Sequence, residues 1–373
     1  MRELIVKPEL YSFDTFDDFV QEFQIKESDL IITNEFILKE YKKKNNLQAQ
    51  IIYQEKYGQG EPSDEMFEAM CADISSLQPF CRVIGLGGGT ILDLSKLFAL
   101  KNYATAEALF EKQVPLIKEK QLILIPTTCG TGSEVTNISI LSFLKKKTKK
   151  GLAADELFAD QAVLIPEFLE ELPFRFFAVS SIDAFIHAME SSLSPKATDY
   201  SRLFGYQAMD IILRGYQKIA EDGEEARIPL LKDFLTASNY AGIAFGTAGC
   251  GPVHGLSYPL SGTFHVPHGE ANYAILKGVI NRYAKEPGLE CLEELKTHLS
   301  EILKCDRDCV FEILDQLLGC MLKKKSLKAY GANLPMLEQW MKSVLKTQQR
   351  LLQNSPFLLS EEDVMDIYKE LYE

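Results

Sequence analysis

The sequence predicts an α/β domain built on a parallel sheet, followed by an all-α domain. Three observations carry that prediction. Residues 29–34, 49–54, 81–87, 122–128 and 162–167 are short apolar runs ended by turn or polar residues, as expected of strands buried on both faces. Amphipathic stretches of helical period lie between several of them, at 63–77 and 90–101, and such alternation implies βαβ units in a doubly wound sheet. After Pro166 the strand signals stop, and apolar residues recur at helical spacing to the C-terminus. Residues 1–166 are therefore expected to form the α/β domain and residues 167–373 the helical one. A chain of 373 residues exceeds one ordinary core, which agrees with two domains.

Composition excludes several classes of function. The net charge of −13 argues against nucleic-acid and anionic-membrane partners, which require a basic face. The one basic run, 145–150 (KKKTKK), reads as a solvated loop tip. The N-terminal residues lack a secretory apolar core, and no apolar stretch is long enough to cross a bilayer. The eight cysteines are scattered without a CxxC pair, so reduced thiols in a cytoplasmic protein are expected.

In the first domain, Gly87-Gly88-Gly89-Thr90 follows the strand at 81–87 and opens the helix after it. Glycines allow close approach of backbone or ligand, and a helix N-terminus suits a pyrophosphate. The pattern is not GxGxxG, and a tight strand-to-helix turn without a ligand is the other reading. The run 126–137 (PTTCGTGSEVTN) then places hydroxyls and glycines at the carboxyl end of a strand, where open α/β sheets bind ligands. Its density of small hydrogen-bonding side chains favours a ligand over a structural loop. Cys129, within it, has no neighbouring histidine to activate it, so it is expected to be a packing residue.

In the helical domain the chemistry concentrates in two short segments. Asp183 and His187 stand one helical turn apart on one face. His254 and His268 follow in a segment that glycine and proline are expected to interrupt. One histidine alone is more often a satisfied core residue than a ligand. Three of the chain's five histidines beside one acid make a plausible set for a divalent ion, with iron(II) and zinc(II) both admitted by the donors. Such an ion polarises a carbonyl or alcohol oxygen. His298 is expected on a helix surface.

Taken together, GGGTILDLSK, PTTCGTGSEVTN, IDAFIHAME and HGLSYPLSGTFHVPHG resemble the iron-containing alcohol dehydrogenase family, in order and over nearly the whole chain. The resemblance implies a Rossmann-like first domain that binds NAD, with NADP the alternative. It implies that Asp183, His187, His254 and His268 hold one divalent ion, usually iron(II). Gly88, Gly89, Thr90 and Asp93 would hold the pyrophosphate and nicotinamide side of the cofactor. Thr127, Thr128, Thr131 and Thr136 would line the same cleft, and Lys150 matches a family lysine near the cofactor ribose. A small alcohol or aldehyde is the implied substrate. The segments 33–36, 53–66, 114–120, 126–137, 238–246 and 265–273 look most like the branch of the family that interconverts 4-hydroxybutyrate and succinate semialdehyde. A homo-oligomer, a dimer, is expected.

Three positions depart from the family pattern. Tyr258 stands where many members carry a further histidine, so Tyr258 or His265 is the expected proton relay. Asn34 stands where many relatives have an aspartate that disfavours a 2′-phosphate. Glu61 replaces an asparagine, and its charge would favour NAD. Other short-chain alcohol, diol or glycerol dehydrogenases and metal-dependent sugar-phosphate cyclases share the architecture and remain alternatives. A scaffold that has lost its chemistry is a third reading, which the intact ligand quartet disfavours.

Overall fold

The computed structural model describes residues 3–101, 105–146 and 148–373. The chain divides into two compact units, Val6–Leu172 and, with residues 3–5, Pro173–Glu373.

In the first unit the order is β1 (Glu9–Ser12), α1 (Phe16–Phe23), β2 (Asp29–Thr33), α2 (Glu35–Asn45), β3 (Gln50–Tyr53), α3 (Asp64–Ile74), β4 (Arg82–Gly87), α4 (Gly89–Phe98), α5 (Ala106–Phe110), β5 (Gln121–Pro126), β6 (Ile138–Phe143), β7 (Thr148–Ala153), β8 (Gln161–Leu164) and α6 (Glu167–Glu170). Six strands form one parallel sheet in the order β1-β8-β5-β4-β2-β3. Alternate residues of each strand point to opposite faces, and here both faces are covered. Leu30, Val83 and Leu122 lie side by side and pack with α3, α4 and α5. Ile31, Ile84 and Ile123 form the next row and pack with α1 and α2. This two-sided burial is why the strands read as continuous apolar runs, and it agrees with the expected fold class.

The structure adds three strands. β1 is an edge strand of largely exposed residues, which leaves no apolar run. β6 and β7 pair antiparallel as a separate two-stranded sheet. The basic run is accordingly not a loop tip throughout. Lys145 and Lys146 are in a turn, residues 148–150 belong to β7, and Lys147 lies outside the described residues. A half-buried strand can carry lysines because only one face needs apolar cover.

The second unit is helical: α7 (Phe174–Leu193), α8 (Asp199–Asp222), α9 (Leu231–Ala248), α10 (Pro252–Phe264), α11 (His268–Ala284), α12 (Glu290–Leu303), α13 (Val310–Met321), α14 (Leu334–Thr347), α15 (Gln349–Leu352) and α16 (Glu361–Glu370). Its centre is α7, which packs against α8, α9 and α11 and is buried almost all round from Phe177 to Leu193. A helix enclosed in this way is apolar on every side, and each polar residue in it must find a partner. The expected interruption between His254 and His268 falls later than anticipated. α10 runs through Gly255 and Pro259 as far as Phe264. His265 then ends it in the left-handed region, at φ 54°. Proline removes one backbone donor without ending a helix that tertiary packing holds on several sides. No helix among the described residues is long and apolar enough to cross a membrane.

Candidate active site

α7, α10 and α11 bring Asp183, His187, His254 and His268 together. One ligand atom from each lies within 4.8 Å of the others, and all but His268 are buried. Donor atoms gathered this closely could be held by one divalent ion. Close approach of α11 to α7 depends on Gly269. A Cβ there would stand 2.2 Å from Val179 O and 3.0 Å from Asp183 Cβ. The residue after His268 therefore has no room for a side chain.

The arrangement is held from behind. Glu190 Oε2 lies 2.6 Å from His254 Nδ1, and the same carboxylate accepts from Gly251 N at 3.0 Å and Val253 N at 2.6 Å. A carboxylate only accepts, so Nδ1 carries the proton and Nε2 presents a lone pair. That Nε2 is buried without a hydrogen-bond partner among the described residues. It lies 3.8 Å from Asp183 Oδ1. A buried, unpartnered acceptor is costly unless something supplies a positive charge, and a metal ion fits that need. Asn272 Nδ2 donates to Asp183 Oδ1 at 2.7 Å and is fixed in turn by Ser257 Oγ, which donates to Asn272 Oδ1 at 2.5 Å. His187 is sandwiched, its ring 4.4 Å from that of Phe245 and 4.5 Å from that of His254. Burial raises the pKa of Asp183, but His187, His268 and His254, with the Asn272 hydrogen bond, outweigh it and hold the carboxyl below its ordinary value.

The two proton-relay candidates are placed differently. The Tyr258 ring lies 6.0 Å from that of His268 and is half-buried on α10. His265 is exposed at the end of that helix. It stands three residues before His268, but it is the left-handed residue that ends α10, whereas His268 begins α11.

On the first unit, α4 opens at Gly88 and Gly89 with no side chain capping it. A Cβ on Gly89 would lie 2.7 Å from Thr131 Cγ2, whereas one on Gly88 would meet only Thr128, at 3.7 Å. An uncapped helix start beside two threonine hydroxyls is suited to a pyrophosphate. Thr127 N donates to Gly87 O at 3.1 Å, fastening the second loop to the glycine turn. Thr90 Oγ1 donates to Gly60 O at 3.0 Å. Asp93 and Thr136 are tied into the scaffold. Asp93 accepts from Ser133 Oγ at 2.5 Å and from Ile140 N at 2.8 Å. Thr136 Oγ1 accepts from Lys96 at 3.1 Å. Lys150 pairs with Glu111, and Lys149 with Glu61 at 2.5 Å. Asn34 Nδ2 donates to Glu55 Oε2 at 2.8 Å. Cys129 is fully buried.

Sequence reading passed over several of these groups. Glu190 lies seven residues after Asp183 and three after His187, so helical spacing alone sets it on their face. Asn272 stands four residues after His268 by the same logic. Lys96 gave no signal. It is fully buried and donates to Ser133 Oγ (2.7 Å), Thr136 Oγ1 and Ile138 O (2.6 Å). Burial holds its pKa below the ordinary lysine value, against the opposing pull of Asp93 and Glu134.

Two family models match the chain. Residues 9–166 match the iron-containing alcohol dehydrogenase model, and residues 177–372 match the model of the C-terminal part of the Fe-containing alcohol dehydrogenase family. The chain belongs to the iron-containing alcohol dehydrogenase family. This iron-containing alcohol dehydrogenase is 45% identical over 372 residues to 4-hydroxybutyrate dehydrogenase of Clostridium kluyveri, with 100% of each chain covered. It is 36% identical over 305 residues to long-chain-alcohol dehydrogenase 1 of Geobacillus thermodenitrificans, covering 79% of this chain and 75% of that one. Its fold matches the crystal structure of sulfoacetaldehyde reductase from Bifidobacterium kashiwanohense in complex with NAD+, with a TM-score of 0.83 at 19% identity and coverage of 100% and 98%. As a member of the family it is an oxidoreductase with an Asp/His metal-binding site.

Proposed function

We propose that the protein is an NAD-dependent dehydrogenase that interconverts 4-hydroxybutyrate and succinate semialdehyde. Full-length similarity to the Clostridium kluyveri 4-hydroxybutyrate dehydrogenase supports the substrate. The chemistry rests on one observation, the gathering of a carboxylate and three imidazoles around the unpartnered His254 Nε2. Asp183, His187, His254 and His268 would hold the ion, iron(II) in this reading, with zinc(II) also compatible with the donors. Gly88, Gly89, Thr90, Thr127, Thr128 and Thr131 would cradle the cofactor. Asp93 and Thr136 would brace that cradle, and Lys150 and Glu61 would border it. The ion would supply polarisation of the substrate oxygen, and the nicotinamide would supply the hydride chemistry.

The chain's own residues do the rest. Glu190 fixes the tautomer of His254, and Asn272 orients Asp183. Tyr258 is preferred over His265 as the group that relays the hydroxyl proton, because its ring lies beside His268 while His265 faces solvent. The proposal extends to a cytoplasmic homodimer, and sedimentation of the purified enzyme tests the assembly.

The activity is tested by anaerobic purification, metal analysis, and assay of succinate semialdehyde against plain aliphatic aldehydes and glycerol, with NADH and NADPH. Bound iron and a preference for succinate semialdehyde with NADH are expected. A preference for a plain aldehyde or glycerol would overturn the substrate, and His268→Ala with full activity and full metal content would overturn the centre.

A further inference from the structure

We infer that Glu55, rather than Asn34 or Glu61, reads the 2′ position of the cofactor's adenosine ribose and excludes a 2′-phosphate. This rests on the nicotinamide-dependent reading above. In an open parallel sheet a dinucleotide lies outside the carboxyl ends of the strands, with its pyrophosphate at the glycine turn. Here that turn follows β4, and β2 and β3 are the next two strands of the sheet. Their ends stand one and two strand spacings away, roughly 5 and 10 Å. The ribose is the next unit of the dinucleotide after the pyrophosphate, so these strand ends are what its hydroxyls meet. The segment after β3 is tied to the same crevice, since Thr90 in the first turn of α4 donates to Gly60 O at 3.0 Å.

Discrimination against a 2′-phosphate requires an uncompensated negative charge at this place. Asn34, at the end of β2, is neutral. Its Nδ2 donates to Glu55 Oε2 at 2.8 Å, and Glu35 N donates to Glu55 Oε1 at 2.6 Å. The Glu55 carboxylate is thus held at the end of β2, although it comes from the segment after β3. Among the described residues no lysine, arginine or histidine forms an ion pair with it, and Lys56 turns instead over the Tyr53 ring at 5.4 Å. Glu61 differs, because its carboxylate lies 2.5 Å from Lys149 Nζ. One carboxylate has no cationic partner among the described residues, and the other is opposed by one. Each Glu55 oxygen retains a second lone pair that can accept from a ribose hydroxyl.

The test measures binding of NADH and NADPH to the purified enzyme by nucleotide-fluorescence titration, so it does not depend on turnover. Wild type should favour NADH. Glu55→Gln keeps an oxygen for the Glu35 amide but loses the charge, and it should narrow the NADH-over-NADPH ratio by about tenfold or more. Glu61→Gln should narrow the ratio clearly less than Glu55→Gln does, because Lys149 already opposes that charge. Glu55→Asp keeps the charge and should keep the preference even if α2 is loosened. An unchanged ratio in Glu55→Gln, or an equal loss of preference in Glu55→Asp and Glu55→Gln, would overturn the assignment. A wild type that binds neither nucleotide would instead refute the nicotinamide reading itself.

Discussion

The Glu190 carboxylate and the His254 imidazole meet at 2.6 Å with both residues buried. The pair sits behind the candidate metal ligands and decides which nitrogen of His254 faces them. Partners of this kind orient a ligand and raise its basicity. Glu190→Gln can still bond to the ring, but without the charge and with an amide that also donates. Metal affinity is expected to fall by about 10–100-fold while the fold is retained. Competition with a graded series of chelators measures it, and unchanged metal retention would show that Glu190 only fills space.

Tyr258 and His265 can be separated by substitution. Tyr258→Phe removes the hydroxyl with little change in volume and is expected to lower kcat by about 10²-fold, the usual size of a positioned proton-transfer group, while metal content stays the same. His265→Ala is expected to leave the rate within about twofold, since an exposed surface change is usually mild. The reverse ranking would assign the relay to His265.

Asp363 gives an acid-stability prediction. In the first turn of α16 it accepts from Ser360 N at 2.8 Å in a capping box and is also bonded to Arg282 of α11. Burial raises its pKa, but Arg282 and the Ser360 groups outweigh that and hold it below 3.8. A depressed carboxyl pKa means the native state binds the proton less well than the unfolded chain. Its contribution is therefore complete well above pH 3.8 and is lost as pH falls through the folded value. Asp363→Asn should cost about 1 kcal/mol near neutral pH, and the gap from wild type should shrink below pH 3.8. Urea midpoints measured across the acid range check this, and a gap that widens on acidification would contradict the sign.

Much of this was legible in the sequence, and the exceptions have physical causes. The strands enclosed on both faces announced themselves, because Ile31, Ile84 and Ile123 sit in unbroken apolar runs. β1 and β7 did not, because a strand facing solvent need not look apolar. The family resemblance supplied the ligand quartet, and the spacing of Asp183 and His187 on one helix face was readable unaided. Glu190 and Asn272 follow the same spacing rule and were readable in principle. Lys96 was not, since nothing in a lysine's neighbours along the chain tells that its ammonium will be enclosed. His265 shows the limit of proximity in sequence. Three residues from His268, it is exposed at the left-handed end of α10, while His268 opens the next helix.

All four candidate metal ligands come from residues 173–373, and the glycine turn, the threonine loop and Glu55 all come from residues 6–172. On the proposed reading, the residues that would choose the nucleotide and those that would choose the ion therefore lie in non-overlapping stretches of the gene. Either can drift, or be redesigned, without rewriting the other.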